Sequence, residues 1–554
     1  MIYYQPNSKL NTHEVFNQSK ELCDYNLFDA DVILKHYISE FGANEYFKEL
    51  SSFGEIIGSK ENIERGRLAN SNPPILHQFD RFGHRVDEVE YHPAYHELMT
   101  IAKEHRVDTI AWTAKKKASQ LAHVALEYML FQVESGICCP LTMTYAALPA
   151  IKNHPALYEE LLPKLTSNKY LASLKPISEK ESIMVGMAMT EKQGGSDIRA
   201  NTSRAELIDG NNGEYLLTGH KWFCSAPMSD AFLTLAQSKS GISCFFVPRI
   251  LPDGQKNRFF IQRLKDKLGN KSNASSEIEY DKTWAMLIGE EGRGVRTIID
   301  MVHHTRLDCT LAAASLMRQS LSQAIFHSDR RKAFGKKLSE QALMKNVLAD
   351  MALESEAALA ISARIGKAYD DATINKEQAP LARILVAIGK YWTNKRTAYL
   401  VNEAMECFGG GGYVEESIMP RLYRESPLNG IWEGSGNVIC LDVLRAFMKE
   451  PETVNQLFHE LESSKGNVKA FDTELEKIKK IMSKPLELET RARYLVEKLA
   501  ILLQSKILIE NSKDFIAEAF VNSRLKQDWG YAFGTLNAGI AFDKIIERSR
   551  LRLS

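Results

Sequence analysis

The sequence lacks paired cysteines and long apolar runs. Its 554 residues include 8 cysteines, and none forms the C-x-x-C pair that is typical of zinc sites and redox motifs. We therefore predict reduced, mostly buried thiols and no metal site. No run of about 18 apolar residues occurs, so no membrane span is predicted. The first residues also lack the basic and apolar segments of a signal peptide, which favours a cytoplasmic protein.

The chain also lacks a net charge. Its 70 Lys and Arg residues balance its 70 Asp and Glu residues, so no global basic field draws it to nucleic acid. The hydrophobic share of 44% and the charged share of 25% are ordinary for a globular protein of several domains.

The spacing of apolar residues predicts a mainly α-helical protein with a central antiparallel β-domain. Between 181 and 285, short β-rich runs recur at intervals of about ten residues between Gly, Asn and Asp turns, which indicates a small barrel or sandwich. Long helical patterns on either side of this region predict a helical domain before it and a four-helix bundle after it. The predicted segments are an irregular N-terminal extension (1–70), a helical domain (71–180), the β-domain (181–285), the helical bundle (286–447) and a C-terminal helical domain (448–554).

Three motifs could hold a flat ligand that carries phosphates. Residues 189–197 (MTEKQGGSD) place two glycines beside hydroxyl groups, so backbone N–H groups could approach a ligand closely. Residues 221–225 (KWFCS) place aromatic rings beside a hydroxyl, and residues 331–336 (RKAFGK) offer a guanidinium for a pyrophosphate. Taken singly, the three are also typical of a turn, a packed strand and a basic helix end.

A fourth motif, residues 431–437 (IWEGSGN), contains a candidate base. Glu433 lies between a tryptophan and a Gly-Ser-Gly turn. Apolar surroundings would raise the pKa of this carboxyl group and suit it to proton abstraction. Taken alone, Glu433 could also be a helix cap or a surface residue.

The order of these motifs resembles the acyl-CoA dehydrogenase superfamily, over residues 95 to 445. It runs from Thr-Glu-x-x-Gly-Gly-Ser-Asp through Gly219-His-Lys, Arg-x-x-Phe-Gly and a Gly-Gly run to Glu-Gly-Ser. Further segments are similar to the AidB-like, adaptive alkylation-response branch of this superfamily. These segments are 12–18, 66–74, 134–140 (ESGICCP), 190–195, 268–274 and 431–437.

The resemblance implies a helical domain, a β-domain and a bundle, with FAD between the last two. Thr190 and Ser196 match residues that bond the flavin and its phosphates, and Phe223 and Ser225 match the pair beside the flavin ring. The segments implied to reach the FAD of a neighbouring subunit contribute Arg331, Phe334, Gln341, Glu406, Gly409 and Gly410. The remaining implied cofactor residues are Met189, Gly195, Trp432, Ser435 and Asn437. A FAD site shared between subunits implies an oligomer, expected to be a homotetramer.

The resemblance also implies a reaction. Glu433 matches the base that removes the α-proton of an acyl thioester while a hydride leaves the β-carbon for flavin N5. Some relatives carry the base on the bundle helix, but the matching residue here is Thr305, which cannot serve. Electrons would pass to an acceptor such as an electron-transfer flavoprotein. The alternative is a flavoprotein that binds DNA or acyl ligands in protection against alkylation, with weak or vestigial dehydrogenase activity.

Several positions depart from the family pattern. Lys192 and Gln193 replace Pro and Gly, Phe223 replaces the usual Trp, and Glu406 stands where Gln is common. These changes concern the substrate side, and no residue set is assigned to CoA. Residues 451–554 contain 17 basic and 15 acidic residues, a small excess for a duplex-binding surface.

The C-terminal end contains the candidate DNA contacts. Its basic residues are Lys544, Arg548, Arg550 and Arg552. On one continuous helix, 544, 548 and 552 would share a face. A solvated basic face or a complement to the helix dipole is the other interpretation.

Overall fold

A β-barrel lies between two helical regions, which confirms the predicted fold class. The computed structural model describes residues 15–208, 213–526 and 528–553. Residues 12–14 of the first AidB-like segment and residues 209–212 of a predicted turn lie outside these ranges. The helices are α1 (Val32–Glu40), α2 (Phe47–Ile57), α3 (Lys60–Ser71), α4 (Pro93–Glu104), α5 (Ile110–Thr113), α6 (Ser119–Val133), α7 (Cys138–Ile151), α8 (Pro155–Leu165), α9 (Gly294–Ser328), α10 (Ala342–Ile374), α11 (Ala379–Glu406), α12 (Met419–Glu425), α13 (Gly436–Lys449), α14 (Pro451–Glu462), α15 (Lys469–Met482), α16 (Leu488–Asn511), α17 (Asp514–Arg524) and α18 (Phe542–Ser549). The strands are β1 (Ile75–Phe79), β2 (Arg85–Glu90), β3 (Val185–Ala188), β4 (Arg204–Leu207), β5 (Glu214–Ser225), β6 (Ala231–Ser238), β7 (Gly241–Pro248), β8 (Phe259–Leu264), β9 (Ser275–Ile288), β10 (Lys332–Ala333) and β11 (Lys336–Lys337).

Helices α1 to α3 occupy most of residues 32–71, so the prediction of an irregular segment over 1–70 was wrong for that part, whereas residues 15–31 contain no helix or strand. Helix α1 buries apolar side chains at helical spacing, and Asp31 caps its first turn. Ser59 caps α3 in the same way. These helices were missed because each has only 9 to 12 residues, so its periodicity is short, and their stability comes from tertiary packing. The predicted break at 70–74 is confirmed, since α3 ends at Ser71.

The helical domain before the barrel differs in detail from the prediction. The apolar spacing of residues 109–136 favours one helix, but the structure divides this stretch into α5 and α6, because Ala118 takes the left-handed conformation with φ of +61°. Helix α7 begins at Cys138, earlier than expected. Pro140 is tolerated there because the first turn of a helix needs no intrahelical N–H donors.

Five strands close the barrel in the order β6-β4-β5-β9-β7, and β7 pairs again with β6. Strand β3 extends this sheet by parallel pairing with β6, and β8 pairs with β9. Strand β5 runs through two of the predicted runs without a break and pairs with β9 along its length. Most pairings are antiparallel, as expected; β3–β6 and β4–β6 are parallel.

Long helices α9, α10 and α11 form the bundle, with α13 packed against α11. Helix α9 has 35 residues and joins two helical patterns that the sequence suggested separately. The β10–β11 hairpin connects α9 to α10.

Helices α14 to α18 follow the bundle. Of these, α14, α16, α17 and α18 pack onto α10, α11 or α13, and α15 packs onto α16 and α17. Arg524 of α17 pairs with Asp350 and Glu354 of α10, at 2.6 and 3.1 Å. The sequence pattern favours a helix from 535, but helix α18 begins later, at Phe542. It ends at Ser549, so Arg550 and Arg552 lie beyond the helix and the predicted shared basic face does not form.

All 8 cysteines are free thiols, and seven are buried, which confirms the prediction for this residue type. No helix within the described ranges is long and apolar enough to cross a membrane.

Candidate active site

Glu433 lies in the tight turn before α13, facing α9. Its backbone takes the left-handed conformation with φ of +55°, and Gly434 follows with φ of +101°. Thr305 of α9 donates a hydrogen bond of 2.8 Å to Glu433 Oε2. Oε1 accepts no hydrogen bond from a described residue, so one carboxylate oxygen is fixed and the other is left for a proton.

Two buried cations bond the backbone of the same turn. Arg306 Nε donates to the carbonyl oxygen of Glu433 at 3.1 Å, and Lys390 Nζ donates to the carbonyls of Trp432, at 2.7 Å, and of Gly434. Asp442 in turn fixes Arg306 by an ion pair of 2.7 Å. The position of the carboxylate is therefore set by the bundle rather than by its own loop.

The surroundings of Glu433 tune its carboxyl group. Burial raises the pKa of Glu433, while the hydrogen bond from Thr305 and the charges of Lys390 and Arg306 oppose the rise. Burial dominates, so the pKa stays above its ordinary value. Such a carboxyl group is a stronger base in its ionised form than a solvated glutamate.

The predicted glycine-rich loop 189–197 is anchored by an ion pair inside the barrel. The carboxylate of Glu191 accepts from Lys221 Nζ at 2.9 Å, and both side chains are fully buried. It also accepts from the backbone N–H groups of Thr202 and Ser203, at 2.7 and 3.1 Å. Gly194 has a φ of +124° and open space around it. The sequence included Glu191 and Lys221 in motifs, but their anchoring role appears only in the structure.

Loop 189–197 packs tightly at Gly195 and is open at its surface. A Cβ at Gly195 would lie only 2.4 Å from Thr190 Oγ1. Only glycine therefore allows residue 195 to lie so close to Thr190, and both are predicted cofactor residues. Ser196 is exposed and Met189 is half-buried. The loop thus presents backbone and hydroxyl groups that a phosphate-bearing ligand could approach.

The aromatic motif 221–225 lies on β5 and presents the open ring face of Phe223. The side chain of Phe223 is 49% exposed although the residue lies within β5. The neighbouring ring of Trp222 is covered by Lys265, whose Nζ lies 3.2 Å from the ring centroid. Ser225 is near Cys139, whose thiol has its pKa raised to about 12 by burial. Glu433, Lys267 and Asn273 also act on this thiol. Cys139 also belongs to the apolar cluster on which Trp432 packs.

A cleft of about 230 Å³ opens beside these residues. Its lining consists of Pro73, Pro74, Leu264, Lys265, Asp266, Lys267, Lys271, Asn273 and Ala274. Lys265 is paired with Glu277 at 2.6 Å, and Lys267 Nζ donates to the carbonyl of Asn273 at 2.6 Å. Lys271 forms no ion pair with a described residue. Sequence reasoning missed this cleft because its walls come from segments about 190 residues apart.

The predicted cofactor residues that the resemblance assigns to a neighbouring subunit's FAD lie at the end of the bundle away from Glu433. Phe334, 98% exposed, is at the tip of the β10–β11 hairpin with φ of +51°. Gln341 donates to the carbonyl of Ala333 in this hairpin. His327 stacks on Phe408 with centroids 4.4 Å apart, which brings the hairpin next to the glycine-rich turn after α11. This second group contains Arg331, Phe334, Gln341, Glu406, Gly409 and Gly410.

The two groups are too far apart to meet within one chain. Thr305 faces Glu433, whereas the hairpin follows Ser328 at the other end of α9. At about 1.5 Å per residue, this part of the helix is roughly 35 Å long. Arg331 is also held by the N-terminal segment, since its guanidinium donates to the carbonyl of Asn17 at 2.8 Å.

Three of the AidB-like segments pack together beside the cleft. A Cβ on Gly136 would lie 1.9 Å from Ser272 Oγ, and one on Gly66 would lie 2.5 Å from the carbonyl of Val133. Asn270 donates to the carbonyl of Ser135 at 3.3 Å. These segments therefore form the junction of the helical domain and the barrel.

A separate buried cluster lies between α6 and α9. The possible ligand atoms of His123, Glu127 and Asp308 lie within 4.8 Å of one another. His123 Nδ1 is 2.7 Å from the carbonyl of Val107, and Nε2 is 3.0 Å from Asp308 Oδ1. Both nitrogens face acceptors, so the ring is a charged double donor without a lone pair for a metal. Neither carboxylate oxygen of Glu127 has a hydrogen-bond partner among the described residues.

Three sequence families match the chain in succession. They are described as adaptive response protein AidB N-terminal domain (residues 17–172), acyl-CoA dehydrogenase, middle domain (186–283) and acyl-CoA dehydrogenase, C-terminal domain (292–448). AidB of Escherichia coli K12 is 45% identical over 478 residues, which cover 86% of this chain and 88% of AidB. The chain belongs to the AidB-like branch of the acyl-CoA dehydrogenase family. It is thus an enzyme of acyl-CoA dehydrogenase type, in a family of flavoproteins.

Other family members resemble the chain over most of its length. Acyl-CoA dehydrogenase family member 11 of Caenorhabditis elegans is 30% identical, over 80% of this chain and 74% of the relative. The structure of C. elegans ACDH-11 in complex with C11-CoA superposes with a TM-score of 0.84 at 25% identity and covers 98% of this chain and 97% of that one. The apo form of Bd2924 gives a TM-score of 0.82 at 28% identity, covering 88% and 98%.

Proposed function

We propose that the protein catalyses FAD-dependent α,β-dehydrogenation of an acyl thioester, with Glu433 as the base. The observation that carries this proposal is the state of the Glu433 carboxylate. One oxygen is fixed by Thr305, the other is unbonded, and burial raises the pKa. This arrangement suits removal of a weakly acidic proton from a carbon next to a thioester carbonyl.

The residues of the barrel and the Glu433 turn fit a flavin. Phe223 offers an open aromatic face, loop 189–197 offers backbone donors beside glycines, and Thr190 and Ser225 offer hydroxyls. Met189 and Trp432 pack on one apolar cluster, and Ser435 and Asn437 lie at the start of α13, directly after the Glu433 turn. When bound, FAD would accept the β-hydride of the substrate, and the electrons would then pass to an acceptor such as an electron-transfer flavoprotein. Glu433 would keep the α-proton on its free oxygen.

A second copy of the chain would complete the cofactor site. The group around Arg331 and Gly409 presents a guanidinium, an exposed aromatic ring and open glycines, yet it lies roughly 35 Å along α9 from Thr305. These features suit the dinucleotide part of a FAD bound to another subunit. We therefore propose a homo-oligomer, with a homotetramer as the expected state.

The lysine-lined cleft supports a CoA ester as the substrate. Its walls include Lys267 and Asn273, and the backbone of Asn273 lies against Gly136, three residues before Cys139. Lys271 supplies a positive charge at this cleft that no described carboxylate neutralises. The anionic nucleotide of CoA could lie there while the acyl chain reaches the base.

The DNA-binding alternative has less support. Arg548 bonds the buried Glu356 at 2.9 Å, and Arg550 bonds Asp329 at 2.9 Å and Glu547 at 2.7 Å. Arg552 also pairs with Glu547. Three of the four candidate DNA contacts are thus neutralised within the chain, while Lys544 has no ion pair with a described residue. An acyl-binding role is better supported, because the similar ACDH-11 was solved with C11-CoA.

The deciding experiment is anaerobic titration of the FAD-loaded protein with acyl-CoAs of different length and branching. Loss of the flavin absorbance, at roughly 450 nm, is expected with one class of acyl chain. Glu433→Gln should still bind this thioester but reduce the flavin at least about 100-fold more slowly, the usual contribution of a positioned base.

Glu474→Gln is the matched control, because Glu474 is a buried glutamate of α15, a helix that packs on α16 and α17. It should leave the reduction rate unchanged. If no acyl-CoA bleaches the flavin, or if Glu433→Gln reacts at the wild-type rate, the proposal fails. Free fatty acids and DNA, the latter in a salt-dependent binding assay, would then be tested.

A further inference from the structure

Lys390 is a buried lysine without a carboxylate partner among the described residues. It lies in the middle of α11 and is 1% exposed. Burial lowers the pKa of this ammonium group to about 8, so its desolvation is costly. A buried lysine would usually offset that cost with an ion pair. Lys390 instead uses its donors on the backbone carbonyls of Trp432 and Gly434.

Together with Arg306, Lys390 bonds three successive carbonyls, those of Trp432, Glu433 and Gly434. A trans peptide holds its N–H opposite to its carbonyl. The N–H groups of Glu433, Gly434 and Ser435 must therefore point away from the two cations. No described residue accepts a hydrogen bond from these three N–H groups.

The backbone of this turn is strained. A non-glycine residue in the left-handed region costs roughly 1 kcal/mol or more, and Glu433 adopts this conformation. A hydrogen bond to a charged group contributes about 1.5–3 kcal/mol. The bonds from Lys390 and Arg306 are thus strong enough to hold the turn in a conformation that it would otherwise leave.

We infer that Lys390 is a positioning residue, which fixes the turn so that the Glu433 carboxylate and the N–H groups after it face the substrate. This inference rests on the proposed function, since it assigns a role in the same reaction. Lys390 touches neither the substrate nor the reacting atoms. Its loss should therefore lower the rate of flavin reduction by about tenfold or more, because small displacements of a base are costly. The affinities for FAD and for acyl-CoA should change by less than about threefold.

Three variants of the FAD-loaded protein test this role. Lys390→Met removes the donors at similar size, and Lys390→Arg keeps a cation and should recover part of the rate. Lys506→Met is the control, because Lys506 is a buried lysine of α16 that pairs with Glu460 and Glu510 instead. If K390M does not fold, Lys390→Gln serves in its place, because Gln is too short to reach both carbonyls.

Two readouts separate this inference from the proposed function. The first is the rate of flavin reduction by the bleaching acyl-CoA, followed by stopped flow. The second is amide hydrogen exchange of residues 428–440, which needs no substrate. Faster exchange and slower reduction in K390M, but not in K506M, are expected.

Exchange that stays at the wild-type level in K390M would overturn the inference, as would an unchanged reduction rate. If the wild-type flavin is not reduced by any acyl-CoA, the proposed function fails by itself. Hydrogen exchange then still decides whether Lys390 fixes the turn.

Discussion

The hydroxyl group of Thr305 donates a hydrogen bond of 2.8 Å to Oε2 of Glu433, which lies 128 residues further along the sequence. The family resemblance had drawn attention to Thr305 only as a residue that cannot be a base. In the structure it is the hydrogen-bond partner of Glu433, the candidate base. Because this bond favours the charged carboxylate, it opposes the rise in pKa that burial causes.

Replacing Thr305 with Val should shift the pH dependence of flavin reduction. Glu433 must be ionised to accept a proton, so the rate rises as pH rises through the pKa of Glu433. Without the bond from Thr305 this pKa rises further, and the acidic limb moves to higher pH while the alkaline plateau is nearly kept. The measurement is kcat/KM against pH. Thr397→Val is the control, since the Thr397 hydroxyl donates only to a carbonyl of its own helix. If the acidic limb of the profile lies at the same pH in both variants, Thr305 does not lower the pKa of Glu433.

Reversing the charge of Lys271 should weaken the binding of CoA esters. Lys271→Glu places a carboxylate in the cleft beside Lys265 and Lys267, so the KM for acyl-CoA should rise about three- to tenfold at low salt and less at high salt. The acyl-pantetheine ester, which lacks the nucleotide, is the control substrate, and its KM should not change. An equal effect on both esters would show that the cleft does not hold the nucleotide.

Removing the charge at Glu127 should stabilise the protein. Burial raises the pKa of this carboxyl group well above 4.5, and Asp308 and Asp108 add to the rise. A raised pKa means that stability is lost as pH rises above the ordinary carboxyl value, because the unfolded chain releases the proton first. Glu127→Gln cannot ionise, so its gain in melting temperature over the wild type should grow between about pH 5 and 8.

Glu354 is the matched control for Glu127. It is equally buried, but Arg396 and Arg524 outweigh burial and lower its pKa. Glu354→Gln should therefore destabilise the protein at neutral pH, by about 3–5 kcal/mol, since it leaves buried cations unpaired. Thermal unfolding of both variants across pH checks the opposite signs, and a loss of stability in Glu127→Gln at pH 8 would contradict the prediction.

Gly136→Ala should loosen the junction of the helical domain and the barrel. The added Cβ would lie 1.9 Å from Ser272 Oγ and 3.0 Å from the backbone nitrogen of Asn273, which forces a shift costing about 1–3 kcal/mol. Ser272→Ala removes the closer contact and should restore part of the loss in the double variant. A double-mutant cycle by thermal unfolding measures this coupling. Additive effects would show that the clash is relieved elsewhere.

Variants of Arg548 and Lys544 distinguish a structural role of the C-terminal basic residues from a role in DNA binding. Arg548→Gln should lower the free energy of unfolding by about 3 kcal/mol, because Glu356 is then left buried without its partner. Lys544→Gln should leave stability within about 0.5 kcal/mol. The measurement is chemical unfolding together with a DNA shift assay. A variant at Arg548 that unfolds like the wild type but loses DNA binding would support the DNA alternative instead.

The sequence by itself determined the features that depend on local pattern. The spacing of the β-rich runs predicted the barrel, the helical patterns predicted the bundle, and the ordered motifs predicted the family and made Glu433 the candidate base. Local pattern was sufficient there because backbone conformation and the side of burial repeat with a short period. It failed for α1 to α3, short helices of 9 to 12 residues that are stabilised by packing against the rest of the chain.

Only the tertiary structure decided which groups act on Glu433. Thr305, Arg306 and Lys390 lie 42 to 128 residues from the atoms that they bond in the turn, and no periodicity links such positions. The same holds for Arg548, whose charge looked available until Glu356, 192 residues away, was seen to bind it. Folding brings these groups together because a buried charge or carbonyl must find a partner, and the partner can come from any part of the chain.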